Sequence, residues 1–294
     1  MSDPTARPPR APRGESREAA ELRAIKERQP DLGDAVELHL ALLEVQRRVQ
    51  GRIPLPWFEL SAEVITRHQA SGRPLLRFED IPLELTDLRL TVRQTAEILR
   101  RFGGIDEADF QKVQALGRDM TLLAVVGQWY RAVAEKHAAP VGLQPPAEPE
   151  VDIAVYEQVL ALAMRPFLSR CAEVVQPRSD LAVWTHSYCA MCGGEPELAV
   201  ITPSAERHLI CGRCTLRWKF EPLTCPFCRN SDRSLITSFA TPDGQYRVYA
   251  CDVCQRYLKA YDARRASSRP VMPIVDSVAT LPLDAAAMQR GYSG

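Results

Sequence analysis

Eight of the nine cysteines in this 294-residue chain form four Cys-x-x-Cys pairs. The pairs are separated by 18, 10 and 22 residues in chain order. A metal ion in a structural tetrahedral site binds four thiolates at about 2.3 Å, and one Cys-x-x-Cys turn can supply two of them. A hairpin of roughly twenty residues brings a second turn to the same place. The spacing therefore predicts two units of pair, hairpin and pair, each holding one metal ion.

Sequential pairing closes the shorter loops and is favoured on entropic grounds. It assigns the first site to Cys189, Cys192, Cys211 and Cys214, and the second site to Cys225, Cys228, Cys251 and Cys254. A crossed arrangement, with the first pair joined to the third and the second to the fourth, is the alternative. Thiolate ligands suit zinc and a single iron ion equally well.

Other uses of paired cysteines fit the sequence less well. Covalent haem attachment needs a histidine after the second cysteine, but Gly193, Thr215, Arg229 and Gln255 occupy those positions. Thioredoxin-like exchange needs a βαβ context, whereas hairpins surround these pairs. The sequence has no phosphate loop, dinucleotide-binding glycine pattern, zinc-protease histidine motif or nucleophile elbow. We therefore predict no catalytic residues and no enzyme activity; a stand-alone redox enzyme is a minor alternative.

The residue after each pair often needs a positive φ, which glycine adopts without strain. Gly193 meets this requirement after the first pair, but Arg229 and Gln255 do not after the third and fourth. Two histidines near the first site, His186 and His208, are expected to be neighbours of the metal site, because four cysteines already complete the coordination. The ninth cysteine, Cys171, is expected to be an inert buried thiol.

The elements that must position these cysteines differ between the two halves of the chain. In the first half Leu38, Leu42, Val45 and Val49 recur at the period of an amphipathic helix. A last helix is expected over about 152–175, kinked or split at Pro166. From residue 189 onward short β-rich runs alternate with turns. The end of the chain reads as an irregular strap in which Leu281, Leu283 and Met288 could dock onto the body; these three are in its last 14 residues.

The sequence thus predicts an α plus small β protein. Its expected parts are a basic, proline-rich tail running into the first helix (1–30), an all-helical domain (31–180), a first zinc-ribbon or rubredoxin-like module (185–222), a second such module (223–264) and a C-terminal strap (265–294).

Composition narrows the function classes. Hydrophobic residues make up 46% of the chain, and 37 basic residues balance 37 acidic ones. No apolar run approaches the roughly 20 residues that span a bilayer, and no export signal is legible. We therefore expect a cytoplasmic protein with no membrane insertion. Residues 206–269 carry twelve basic and six acidic side chains, interleaved with aromatic rings. That pattern keeps a zinc-ribbon nucleic-acid binder as an alternative, although the rings are expected to fill the ribbon cores instead.

The cysteine block resembles a known family. The run from Arg207 to Cys214, continuing through Trp218 to Cys225-Pro-Phe-Cys228, is similar to FdhE, the formate dehydrogenase accessory protein family. The segment from Tyr249 to Lys259 and the residues Gly193-Gly-Glu-Pro196 fit the same family. The resemblance covers the whole length, but only the 189–261 block is specific.

The resemblance implies an assembly role. FdhE-like proteins are cytoplasmic and act on the catalytic subunit of respiratory, molybdenum-dependent formate dehydrogenase before its twin-arginine export. The family's metal-binding cysteines match all eight positions here. The family is associated with iron in rubredoxin-like sites, which favours iron over zinc and allows redox activity. Neither the oligomeric state nor the client-binding surface follows from the sequence.

Overall fold

The computed structural model describes residues 16–134, 136, 156–177, 179–265 and 269–294. The predicted proline-rich start of the tail and the predicted loop at prolines 140–149 lie outside these residues. Within them a helical body is followed by a β-sheet and a helical end. The predicted fold class, helices first and a small sheet with two four-cysteine groups after them, is confirmed.

The body is built from eight α-helices among the described residues. They are α1 (Arg17–Arg28), α2 (Gly33–Gln50), α3 (Ala62–Ser71), α4 (Leu85–Arg101), α5 (Glu107–Leu116), α6 (Leu122–Ala134), α7 (Glu157–Ala163) and α8 (Arg165–Val175).

Capping residues set the starts of several of these helices. The side chains of Ser16, Ser61 and Asp106 each accept a hydrogen bond from a backbone N–H in the first turn, which satisfies a donor that the helix itself leaves free. Pro166 lies in the first turn of α8 and separates it from α7, so the predicted split at this proline is confirmed.

Six strands form one sheet: β1 (Pro196–Ile201), β2 (Arg207–Cys211), β3 (Arg217–Phe220), β4 (Ile236–Ala240), β5 (Tyr246–Cys251) and β6 (Arg256–Asp262). All six match, to within a few residues, the β-rich runs that the sequence predicts at Leu198–Thr202, His208–Ile210, Leu216–Phe220, Leu235–Phe239, Tyr246–Ala250 and Tyr257–Tyr261. The strand order is β3-β2-β1-β6-β5-β4, with antiparallel pairing inside each half.

The two ribbons join through the parallel pairing of β1 with β6. Leu198 lies opposite Lys259, and Ile201 lies opposite Asp262. Each ribbon therefore contributes three strands to one continuous sheet, and neither joining strand is left as an open edge.

The end of the chain is not irregular, so that expectation was wrong. It forms α9 (Pro273–Ala279) and α10 (Leu281–Met288), each with a proline in its first turn, where a missing N–H costs nothing. Leu283 is buried as expected, but Met288 is 65% exposed.

The two ends of the described chain meet. Leu22 and Ile25 of α1 pack in one buried cluster with Met272, Val275 and Val278 around α9. Burial of large aliphatic side chains stabilises such a contact by about 1.5–3 kcal/mol each. The helical end therefore holds the first helix of the body.

Candidate metal centres

The structure brings the eight paired cysteines together as two groups of four, in the sequential arrangement. In the first site the Sγ atoms of Cys189 and Cys214 are 3.5 Å apart, as are those of Cys192 and Cys211. In the second site the corresponding distances are 3.7 Å for Cys225 and Cys254 and 3.6 Å for Cys228 and Cys251. Four sulfurs at about 2.3 Å from a tetrahedral ion are about 3.8 Å from one another. Each group could therefore hold one metal ion.

Four tight turns position the sulfurs. In each turn the residue after the second cysteine donates its N–H to the carbonyl of the first cysteine, at 2.9 to 3.1 Å. That residue has a positive φ in all four turns: 72° at Gly193, 63° at Thr215, 65° at Arg229 and 55° at Gln255. The lack of glycine after three of the pairs thus does not change the turn. The left-handed conformation costs a non-glycine residue about 1–2 kcal/mol, so sites one and two are built on strained turns.

The first site lies between the sheet and the helical body. The N–H groups of Leu75 and Leu76 donate to the carbonyls of Ala190 and Met191, the two residues between the first cysteine pair. Tyr130 of α6 donates its hydroxyl to the Leu76 carbonyl at 2.8 Å. All four cysteines are buried. The segment after α3 therefore holds the turn of the first cysteine pair by backbone hydrogen bonds, as a neighbouring strand would in a sheet.

The second site lies near the surface. Cys228 is exposed and Cys254 is partly exposed, whereas Cys225 and Cys251 are buried. Val253, between the last pair of cysteines, is 55% exposed. Asn230 places its Nδ2 3.8 Å from the Cys251 Sγ, a weak N–H···S contact. Solvent and solutes can therefore reach two of the four sulfurs of this site.

The thiol pKa values reflect these surroundings. Burial raises the pKa of Cys189 and Cys214 well above the ordinary value, while hydrogen bonds from the other three thiols hold the pKa of Cys192 well below it. In the second site burial raises the pKa of Cys225 to about 12. Burial therefore disfavours the thiolate form at Cys189, Cys214 and Cys225. A bound cation is what would let four thiolates coexist.

The residues around the first site fit an anionic metal–thiolate centre. Arg213 lies between Cys211 and Cys214, is buried, and has no hydrogen-bond partner for Nε, Nη1 or Nη2 among the residues that the structure describes. Its guanidinium lies 3.8 Å from the centre of the Trp129 ring and acts to lower the pKa of Cys192. A buried cation without a partner is costly. A metal ion held by four thiolates carries net negative charge and would supply the missing partner.

A glycine beside the first site leaves room for this arrangement. A Cβ atom on Gly194 would lie 2.9 Å from both the Cys211 Sγ and the Arg213 Cδ. Those are shorter than real Cβ contacts, so any side chain here would displace the ligand sulfur or the arginine. The carbonyl of Gly194 also accepts a hydrogen bond of 2.9 Å from the Cys189 N–H.

The remaining candidates from the sequence take structural places. His186 donates its Nε2–H to the Gln69 carbonyl, 2.9 Å away, and stacks on Tyr188 just before the first cysteine. Neither His186 nor His208 belongs to a metal-binding group in the described part of the chain. Cys171 is buried in α8, and burial raises its pKa to about 12, so it is an inert thiol as expected. Sequence reasoning missed the roles of Arg213 and Trp129; the arginine between two cysteines was the available signal.

Fold and site together define a class of protein: a helical body bearing two four-cysteine ribbons fused into one sheet. The crystal structure of the FdhE protein from Pseudomonas aeruginosa has the same fold. It aligns with a TM-score of 0.58 and 20% sequence identity, covering 94% of this chain and 91% of that chain. The likeness extends over body and ribbons alike.

No family model and no curated protein matches the chain. Among the described residues, no helix has the length and apolar character needed to cross a membrane.

Proposed function

We propose that this protein is an FdhE-type accessory protein for formate dehydrogenase. It would bind the catalytic subunit of a molybdenum-dependent formate dehydrogenase in the cytoplasm, before twin-arginine export of that subunit. The observation that carries the proposal is the combination of eight matched cysteines in two clusters with an FdhE fold along 94% of the chain.

The described surface suits an assembly role better than catalysis. The two cysteine clusters lie in rigid turns at fixed positions on a sheet, and large apolar side chains such as Trp57 and Leu55 are exposed on the helical body. Exposed apolar groups of this kind are typical of protein-binding surfaces when they adjoin one another. No catalytic residues are assigned, and the protein is proposed not to be an enzyme.

We propose the eight paired cysteines as the ligands of two metal ions: Cys189, Cys192, Cys211 and Cys214 for one, and Cys225, Cys228, Cys251 and Cys254 for the other. Iron is favoured by the family resemblance, and zinc is the alternative because thiolates bind both. When bound, either metal would tie two distant turns together, and iron would add one-electron chemistry. The more exposed second site is the one from which an electron could pass to a partner.

The burial of the ribbon aromatics argues against the nucleic-acid alternative. Trp218, Phe220, Tyr246, Tyr257 and Tyr261 are all buried. Bases stack on exposed rings, so these side chains are not available to single strands. These five rings pack in hydrophobic clusters, as predicted from the sequence, whereas Phe227, Phe239 and Tyr249 are partly exposed.

Affinity capture tests the proposal. The tagged full-length protein is recovered from its own anaerobically grown cells, with and without nuclease, and the retained proteins are identified. Enrichment of a formate dehydrogenase catalytic subunit that survives nuclease is the expected result. A capture in which that subunit is absent and nucleic acid or ribosomal proteins dominate would overturn it. Trp57→Ser leaves both cysteine clusters untouched and is expected to reduce the capture, because Trp57 is one of the exposed apolar side chains proposed to contact the client.

Metal analysis tests the cofactor separately. Protein purified without oxygen is expected to contain two metal ions per chain, with the visible absorption of ferric thiolate after mild oxidation if the metal is iron. A colourless protein with two zinc ions would show that the metal is zinc. The proposal that the protein binds a formate dehydrogenase subunit would be unaffected.

A further inference from the structure

A cavity of about 280 Å³ lies beside the second metal site. Its walls come from both ribbons: Ile201 and Arg207 from the first, and Phe227, Tyr249 and Arg256 from the second. The buried ligands Cys225 and Cys251 form part of one wall. The volume is near the lower end of the range of about 300–1,000 Å³ that holds small ligands. Fusion of the ribbons into one sheet therefore creates a space that neither ribbon would have alone.

The charge of this cavity has one sign. Three arginines line it, Arg207, Arg256 and Arg264, and no acidic side chain does so in the part of the chain that the structure describes. Two of them have carboxylate partners: Arg256 binds Glu195 at 2.8 Å, and Arg264 binds Asp262 through two hydrogen bonds of 2.7 and 2.8 Å. Arg207 has no ion pair among the described residues.

Arg207 is the unusual member. Only 6% of the residue is exposed, and its Nε is buried without a hydrogen-bond partner in the described part of the chain. Its Nη1 donates to the Thr224 carbonyl at 2.8 Å, just before the first cysteine of the second site. Burial lowers the pKa of Arg207 to about 10, which still leaves the group charged at neutral pH. A buried guanidinium that lines a cavity and has no carboxylate partner in the described chain is a ready partner for an anion.

The other walls of the cavity favour an anion that carries an apolar group. The rings of Phe227 and Tyr249, with Ile201, Leu223 and Ile236, give apolar and planar surface around the arginine. Rings of this kind pack against an apolar group, while the planar guanidinium matches the two oxygens of a carboxylate. Inorganic anions would leave the apolar walls without a partner.

We propose that this cavity binds an organic carboxylate, with the carboxylate on Arg207 and an apolar body between Phe227 and Tyr249. The same chemistry is carried by a free organic acid and by the carboxylate of a peptide, and the test separates these sources. The proposal does not depend on the accessory function.

The test uses full-length, metal-loaded protein and isothermal titration. The free acid is 3-phenylpropionate, compared with its neutral amide; the peptide is N-acetyl-glycyl-phenylalanine, compared with its C-terminal amide. At least one acid is expected to bind about tenfold or more tightly than its amide, since a hydrogen bond to a charged group is worth that much. Equal binding of acid and amide, no binding of either acid, or a preference for inorganic phosphate would overturn the proposal.

Variants place the binding at Arg207. Arg207→Met is expected to lower acid affinity about tenfold or more and to abolish the preference over the amide. Arg233→Met, which changes an exposed arginine of the second ribbon outside the cavity, is expected to bind like the wild type. Metal content is measured on both variants. If Arg207→Met loses the second-site metal but keeps the acid preference, Arg207 only balances the thiolate charge and the proposal is wrong.

A second measurement does not need the variant to fold. NMR spectra of the wild-type protein, titrated with 3-phenylpropionate, are expected to show the largest methyl shifts at Ile236 and Leu223, which line the cavity. Shifts confined to methyl groups elsewhere would place the acid outside the cavity and overturn the assignment.

Discussion

The two metal sites share one turn geometry but differ in what surrounds them. All four cysteines of the first site are buried, and the segment after α3 forms backbone hydrogen bonds with the turn of its first cysteine pair. The second site has one exposed and one partly exposed cysteine. The first site is therefore part of the junction between sheet and body, whereas the second belongs to the outer half of the sheet. The same four-cysteine motif can thus serve mainly as a structural joint in one place and as an accessible centre in another.

The largest expected effect comes from removing one thiolate from each site in turn. Cys211→Ser is expected to lose the first metal and to destabilise sheet and body together by more than about 4 kcal/mol. Cys225→Ser is expected to lose the second metal and to unfold mainly the second ribbon, because a lost thiolate removes folding free energy that the metal supplies. Metal analysis and thermal melting followed by circular dichroism make the comparison. Equal melting of both variants would remove the distinction between the sites, and full metal content in either would refute the ligand assignment.

Chelation sharpens the same comparison in the wild-type protein. A coloured chelator is expected to remove the metals in two steps, with the second-site metal leaving about tenfold faster, which corresponds to about 1.4 kcal/mol less opening free energy. Cys225→Ser should then show only the slow step. A single step of two equivalents would mean that exposure does not control release.

Arg213 offers a test in which the same substitution is expected to stabilise the metal-free protein and to weaken metal binding. Arg213→Met removes a buried cation whose side chain has no hydrogen-bond partner within the described ranges. Without metal the variant is expected to be more stable than the wild type by about 1–3 kcal/mol, because the unsatisfied group is gone. With metal it is expected to bind about 10–100-fold more weakly, because the thiolates lose their counter-charge.

Melting temperatures of metal-free and metal-loaded protein measure the change in stability, and competitive metal titration measures the change in metal affinity. Arg229→Met is the matched control, since Arg229 is an exposed arginine beside the second site. If Arg213 serves only to pack on Trp129, its loss would destabilise both states alike.

The smallest expected effects concern the residue that follows a cysteine pair. Gly193→Ala is expected to destabilise the first site by about 1–3 kcal/mol, because a Cβ there would lie 3.0 Å from Ala134 and Pro74 in addition to the positive φ. Gln255→Gly relieves the same φ strain at the second site and is expected to change stability by less than about 1 kcal/mol. Chemical denaturation of the metal-loaded variants measures both. A larger loss for Gln255→Gly than for Gly193→Ala would mean that the second site is the more tightly packed.

Local patterns were enough to predict much of this molecule. The cysteine spacing identified both clusters, because each unit closes over about twenty residues. Strand runs of alternating β-formers located all six strands. The proline at 166 located the break between α7 and α8, because a missing donor and a fixed φ act on the nearest turn.

The features that were missed depend on distant residues. Pairing of β1 with β6 joins Leu198 to Lys259, which no local pattern encodes. The C-terminal helices are only 7 and 8 residues long, and so short a segment is helical through packing more than through propensity. The positive φ of Thr215, Arg229 and Gln255 is imposed by the turn hydrogen bonds against the preference of the residues.

The contact of α1 with α9 has a consequence for how the chain is made. Leu22 and Ile25 leave the ribosome about 250 residues before their partners Val275 and Val278. At roughly 5–20 residues per second, synthesis of the chain between them takes on the order of 10–50 s. Throughout that time α2 covers part of the apolar face of α1, but the part that α9 covers has no native partner. The newborn protein therefore carries an open hydrophobic surface until α9 is made, and general chaperones would meet it there first.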